Sequence, residues 1–159
     1  MTDLPAYETL APDAFKAFLG FSLGLSKGPL ERGLRDIVHI RASQMNGCAF
    51  CVDMHIKEAT IHGERPLRLH HIAIWRESTL FDARERAALE WTEALTALTG
   101  HGVSDELRDR VREHLSDVDL ADLTFEIMAI NAWNRISIGF GSVPGSKDAA
   151  YGLTKSGLS

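Results

Sequence analysis

The segment LADLTFEIMAINAWNRISIGF (Leu120 to Phe140) is apolar over much of its circumference when wound as a helix, which places it at the centre of a domain or in a subunit interface. Whatever packs around it must offer apolar helix faces of its own, and the rest of the chain does so. Apolar residues recur at helical spacing almost throughout, and no stretch alternates apolar with polar residues for long enough to make a half-buried strand. The expected class is therefore all-α. At 159 residues the chain has room for one domain with a sizeable core, with residues 5–140 as its body and 141–159 as a flexible or interface tail.

Local signals set the helix ends. Pro12 suits the first turn of a helix reaching Leu25, which the Ser26-Lys27-Gly28-Pro29 break terminates. A second helix runs from about Leu30 to Gln44 and meets Asn46-Gly47, a pair suited to a left-handed cap. The third begins at the cysteines and stops at His62-Gly63. A shorter helix follows from Pro66 to about Arg76, then a longer one from Asp82 to Thr99, opened by a capping box of Asp82 and Glu85. Ser104 caps a short helix to about Leu115, and Asp117 or Asp119 opens the last. The Gly- and Ser-rich tail from Gly141 is expected to be loose or draped on a neighbour.

Charge and composition exclude several classes. A net charge of -5 with no block of Lys or Arg gives a phosphate backbone no reason to approach, so nucleic acid is not an expected partner. The opening MTDLPAYETLAP has no basic start followed by a long apolar core, and no apolar run nears the roughly 18 residues of a membrane span. A cytoplasmic protein with no membrane association is the expectation. Its two cysteines stand three positions apart, a loop too short to remove much unfolded-chain entropy as a disulfide staple. In a reducing compartment such a pair is redox-active or metal-binding.

The pair lies in NGCAFCVDMH (Asn46 to His55). On a helix, positions 48, 51 and 55 share one face, so both sulfurs and the imidazole point into one region. A helix start near Cys48 sets free N–H groups and the positive end of the dipole beside the thiols, which favours thiolate. The imidazole can exchange a proton with a thiol, and the second thiol can attack an oxidised sulfur to close a disulfide. Two plainer readings stand beside this one. The cysteines can be small buried core residues. They can also join His55 in a zinc site with His39 or Asp36 as fourth ligand, although structural zinc normally draws its ligands from separated segments.

The wider run LRDIVHIRASQMNGCAFCVDMHIKEA (Leu34 to Ala59) resembles the signature of the alkylhydroperoxidase D-like branch of the carboxymuconolactone decarboxylase superfamily: a carboxylate, eleven residues, then C-x-x-C-x-x-x-H. IAIWRESTLFDARERAALEWTEALT (Ile72 to Thr96) and INAWNR (Ile130 to Arg135) look like later blocks of the same group. The resemblance implies a multi-helix fold that is an obligate homo-oligomer, a trimer or hexamer. It implies peroxide reduction in which Cys51 attacks, Cys48 resolves, and His55 with the upstream carboxylate, here Asp36, relays protons. Helix-dipole reasoning alone favours Cys48 as the activated thiol, so the two arguments differ on the order of attack. The chain departs from the pattern in having Asp36 where Glu is usual and Phe50 where the best-known peroxidases of the group carry His.

The expected function is thus a thiol-dependent peroxidase that reduces hydroperoxides at the expense of an external thiol or dithiol, with no metal and no organic cofactor. The rivals are a general disulfide oxidoreductase using the same residues and a non-catalytic redox sensor whose assembly responds to the disulfide. Glu31, Asp53 and Glu58 are read as surface charges. Trp75, Arg76, Glu77, Trp91, Glu93, Asn131, Trp133, Asn134 and Arg135 are read as packing and interface residues.

Overall fold

The computed structural model describes residues 5–158, and among these there is no strand. A one-turn α1 (Tyr7–Leu10) leads into α2 (Pro12–Leu25), then α3 (Arg32–Asn46), α4 (Ala49–Ile61), α5 (Pro66–His71), α6 (Ala83–Ala97), α7 (Asp105–Arg112), α8 (Asp117–Gly139) and α9 (Asp148–Tyr151). The cap signals act as their chemistry dictates. Asp82 and Glu85 form a capping box at α6, Ser116 and Asp119 form another at α8, and Ser104 accepts from Leu107 N–H at α7. The helix expected from Pro66 to Arg76 is shorter, ending at His71 and tightening into a 3-10 turn at Ile72–Ile74.

Helices α3, α4, α6 and α8 enclose the core. Ile37, Val38 and Ile40 of α3 meet Leu89 of α6 and Leu123 and Ile127 of α8, all of them at most 2% exposed. Each such side chain contributes about 1.5–3 kcal/mol by leaving water. The long helix α8 is central on one side only: Phe125, Met128 and Ile138 on its other side remain about half exposed. All three tryptophans tie helices together through their indole N–H. Trp75 donates to Glu93 of α6 at 2.8 Å, Trp91 of α6 to Thr124 of α8 at 3.0 Å, and Trp133 of α8 to Ser22 of α2 at 2.8 Å.

The corner between α3 and α4 is held by polar groups buried in this apolar surround. Gly47 takes the left-handed conformation (φ 67°, ψ 28°) that ends α3. Just before it, the side-chain amide of Asn46 donates to Asn134 at 2.8 Å and to Asn131 at 3.0 Å, while Asn134 donates to Ser43 at 3.0 Å. The last turn of α3 is thereby pinned to α8.

The tail packs back on α4. Lys57 of α4 is 5% exposed, and a buried ammonium requires partners. Its Nζ donates to Asp53 at 2.9 Å and to Asp148 of α9 at 2.7 Å, and Asp53 also accepts the backbone N–H of Gly145 at 3.0 Å. Leu153, in a 3-10 turn after α9, is 3% exposed. Asp53 is therefore an anchor for the C-terminal segment rather than a free surface charge. Asn134→Ala removes the shared partner of Asn46 and Ser43 and is expected to destabilise the fold by roughly 1–3 kcal/mol, as measured by urea unfolding.

Candidate active site

Helix α4 starts on its own reactive group. Cys48 is the N-cap, and its sulfur accepts from the Cys51 N–H at 3.3 Å. Cys48 and Cys51 are joined as a disulfide with Cα atoms 5.3 Å apart. His55 follows one turn after Cys51. The three side chains share one region as their spacing predicts, and all are buried, at 2%, 1% and 7% exposure.

The region opens onto a cavity of about 420 Å3, within the size range of small-molecule sites. Phe15 and Leu19 of α2, Phe50 and Met54 of α4, and Ile130 and Trp133 of α8 supply most of its apolar wall. Tyr7 and Tyr151, from opposite ends of the chain, complete it. Burial, with the charge of Glu8 and of Tyr151 adding to it, pushes the Tyr7 phenol up to about 12, so it is a hydrogen-bond donor at any ordinary pH. Cys51 contributes to this wall and Cys48 does not.

The polar groups converge at one end. His55 Nδ1 lies 2.7 Å from Glu58 Oε2, one turn on along α4, and His55 Nε2 is buried with no hydrogen-bond partner. This corrects the reading of Glu58 as a surface charge. At i+3 from His55 it shares the face of the imidazole, and it lines the cavity. Asp36 is placed differently from its expected role. Its carboxylate is bound to His62 Nδ1 at 2.7 Å, and its influence on His55 is only through space. A second imidazole completes the group. His39 of α3 places its ring 4.8 Å from that of His55, with its Nε2 2.9 Å from Glu126 Oε2 of α8.

Electrostatics divide these groups. Burial lowers the pKa of His55 below its ordinary 6.5; the Glu58 hydrogen bond works the other way, and the charge of His39 adds to the lowering. His55 is therefore a neutral base at neutral pH. Burial works to raise Glu58, but the hydrogen bond from His55 and the charges of His55, His39 and His62 outweigh it and hold the carboxyl below its usual range. Among the described residues no group of three or more His, Cys, Asp or Glu side chains is arranged to hold a metal ion. No helix of the described residues is long and apolar enough to cross a membrane.

Glu126 and Glu58 are the functional candidates that the sequence reading missed. Glu58 is readable from its spacing to His55. Glu126 has one local signal, a lone charge within the apolar run LTFEIMAI, where only a paired carboxylate is tolerated.

Residues 12–94 match the model of the carboxymuconolactone decarboxylase family. The uncharacterised YdfG protein of Bacillus subtilis (strain 168) is 39% identical over 147 residues, which span 92% of this chain and all of that protein. The crystal structure of ATU0492 from Agrobacterium tumefaciens, a protein of unknown function proposed to be the antioxidant defence protein AhpD, superposes with a TM-score of 0.85 at 38% identity, covering 91% of this chain and 98% of that one. An uncharacterised peroxidase-related protein from Ralstonia eutropha JMP134, described as an alkylhydroperoxidase AhpD core, gives 0.78 at 25% identity over 88% of this chain and 75% of that one. The chain belongs to the carboxymuconolactone decarboxylase family, in its alkylhydroperoxidase D-like branch. Its Cys48, Cys51 and His55 all lie within the matched residues, whereas Glu126, Trp133 and Tyr151 lie outside them.

The lowered pKa of His55 has a sign that can be measured. In the window below 6.5 the unfolded chain binds its proton and the folded chain does not, so stability rises with pH. The contribution is complete above the unfolded value and is lost as the pH falls toward the folded one; Glu58 acts in the same sense at lower pH. The Tm is expected to fall from about pH 7 to about pH 5, and His55→Gln to flatten that slope in thermal melts.

Proposed function

We propose that this protein is a thiol-dependent peroxidase that reduces an organic hydroperoxide at Cys51. One observation carries the reading. Cys51 sits on the wall of an apolar cavity beside a neutral, carboxylate-held imidazole with a free buried nitrogen, and Cys48 is within disulfide reach. Reduced Cys51 gives its proton to His55, which Glu58 orients. The thiolate attacks the terminal peroxide oxygen; the O–O bond breaks, and Cys51 becomes a sulfenic acid while the hydroperoxide becomes an alcohol. Cys48 then attacks Cys51 sulfur, water leaves, and the disulfide forms. An external thiol or dithiol returns the two electrons. Likeness to peroxidase-related structures supports this chemistry, and the absence of Cys48 from the cavity wall favours Cys51 as the attacking sulfur.

The same geometry weighs against the rival disulfide oxidoreductase. At 1% exposure beneath α2 and the C-terminal segment, Cys51 is open to a small molecule and screened from a folded protein's disulfide. Glu58 rather than Asp36 serves as the relay carboxylate, since Asp36 acts on His55 only from a distance while holding His62. Cys51→Ser is expected to abolish peroxide consumption. Cys48→Ser should consume one equivalent and stop with a sulfenic acid that a dimedone probe traps. Turnover of peroxide surviving in Cys51→Ser, or insulin-disulfide reduction outpacing peroxide reduction in the wild type, would count against the assignment.

We further infer that copies of the chain associate through the half-exposed side of α8, where Phe125 also meets Phe21 of α2. Phe125 and Met128 are half exposed on a helix whose other side is core, a loss that a second copy would recover. Phe125→Glu with Met128→Glu is expected to reduce the particle size in light scattering while leaving the helical circular dichroism unchanged. An unchanged size would exclude this face.

A further inference from the structure

The peroxidase reading uses one imidazole, and the cavity holds two. His39 reaches it from α3, and its ring lies 4.8 Å from that of His55 in a tilted arrangement with no hydrogen bond between them. Each imidazole has its own carboxylate: His55 has Glu58, and His39 has Glu126. The two pairs are built in opposite senses. In the first the imidazole is deep (side chain 9% exposed) and the carboxylate is nearer water (35%); in the second the carboxylate is deep (5%) and the imidazole nearer water (21%).

This inversion has a physical consequence. A carboxylate buried as Glu126 is tolerated as an anion only beside positive charge, and the groups that face it are His39 and, at 3.7 Å, Arg35. Asp122, one turn before it on α8, adds negative charge and strengthens the demand for a cation. Around His55 the balance differs: its ring is desolvated, and His39, Glu58 and the more distant Asp36 are the charged groups that act on it. Two rings this close cannot both be charged cheaply in an apolar cavity. One is thus suited to accept a proton and the other to give one.

Resting on the peroxidase reading, we propose that His39, held by Glu126, is a second catalytic residue: the general acid that protonates the oxygen leaving from the hydroperoxide. In the first, concerted step Cys51 passes its proton to His55 as its sulfur bonds to the terminal oxygen and the electron pair of the O–O bond passes to the inner oxygen, so that charge leaves one ring as it reaches the other. That alkoxide takes its proton from the His39 imidazolium and departs as the alcohol. Cys51 has lost two electrons, the hydroperoxide has gained them, and the Cys51 proton rests on His55. In the second step the sulfenic hydroxide leaves as water with the proton held by His55, and the proton shed by Cys48 restores His39 through solvent. One hydroperoxide and two thiols yield one alcohol, one water and one disulfide.

A general acid shows itself through the leaving group. Pre-reduced wild type and His39→Gln are mixed in single turnover with cumene hydroperoxide, whose leaving group is a basic alkoxide, and with perbenzoic acid, whose leaving group is a carboxylate that needs no proton. Disulfide formation is followed by loss of free thiol. The expected result is a loss on the order of 10²-fold with cumene hydroperoxide and a far smaller one with perbenzoic acid. Glu126→Gln, which keeps the imidazole and removes its anion, should give the same pattern in smaller measure and guards against a folding defect in the first variant. Equal losses with both oxidants, or none with either, would overturn the role of His39 while leaving Cys51 as nucleophile. Wild type that forms no disulfide with either oxidant would overturn the peroxidase reading itself, and the proposal with it.

Discussion

A single turn of backbone decides where every reactive group of this protein points. Gly47 closes α3 in the left-handed conformation, and Cys48, the next residue, caps α4, so the two helices form a corner and share an inner face. A Cβ at Gly47 would meet nothing within 4 Å, so the constraint there is the dihedral angle itself rather than space. His39 on one arm and Cys51, His55 and Glu58 on the other reach a common end of the cavity through that corner. The amide of Asn46 and the buried amides of Asn131 and Asn134 then fasten it to α8, which brings Glu126 and Trp133 to the same place.

The fastening is polar although the surround is apolar, and this has a structural reason. Apolar contacts between helices tolerate small slips, because one methyl group substitutes for another at little cost. Paired amides do not slide, since a displaced Asn46 would leave buried donors and acceptors without partners. The core of Ile37, Ile40, Leu89 and Leu123 supplies most of the driving force for folding, while the amide network selects the register in which α3 meets α8.

What the sequence made legible is what is local. The caps at Asp82, Ser104 and Gly47, the all-helical class and the shared face of Cys48, Cys51 and His55 follow from spacings of a few residues, which helix geometry converts directly into positions. Glu58 is equally local, but the spacing of the family pattern points to position 36 while the i+3 relation within α4 points to 58. The geometry of this chain follows the nearer relation: Asp36, with its short side chain, finds His62 instead. The pairing of His39 with Glu126 crosses 87 positions, and that of Lys57 with Asp148 crosses 91. Periodicity carries no information at that range. Only the oddity of a charge in an apolar context marks such residues, and it does not name the partner.

That same oddity accounts for the character of the site. An apolar cavity excludes water, which strengthens whatever electrostatic interactions remain inside it and penalises any charge left alone. Two imidazoles and two carboxylates enter this cavity, and they do so as two imidazole–carboxylate pairs, one with its imidazole deep and one with its carboxylate deep. In the peroxidase chemistry proposed above, a single pair would have to alternate between accepting the thiol proton and supplying the proton for the departing oxygen within one step. On that proposal two pairs of opposite construction remove the conflict, because one can accept a proton while the other gives one. The apolar wall and the doubled acid–base pairs are thus parts of one requirement: the more completely the cavity excludes water, the more the protein must carry its own proton donor and acceptor into it.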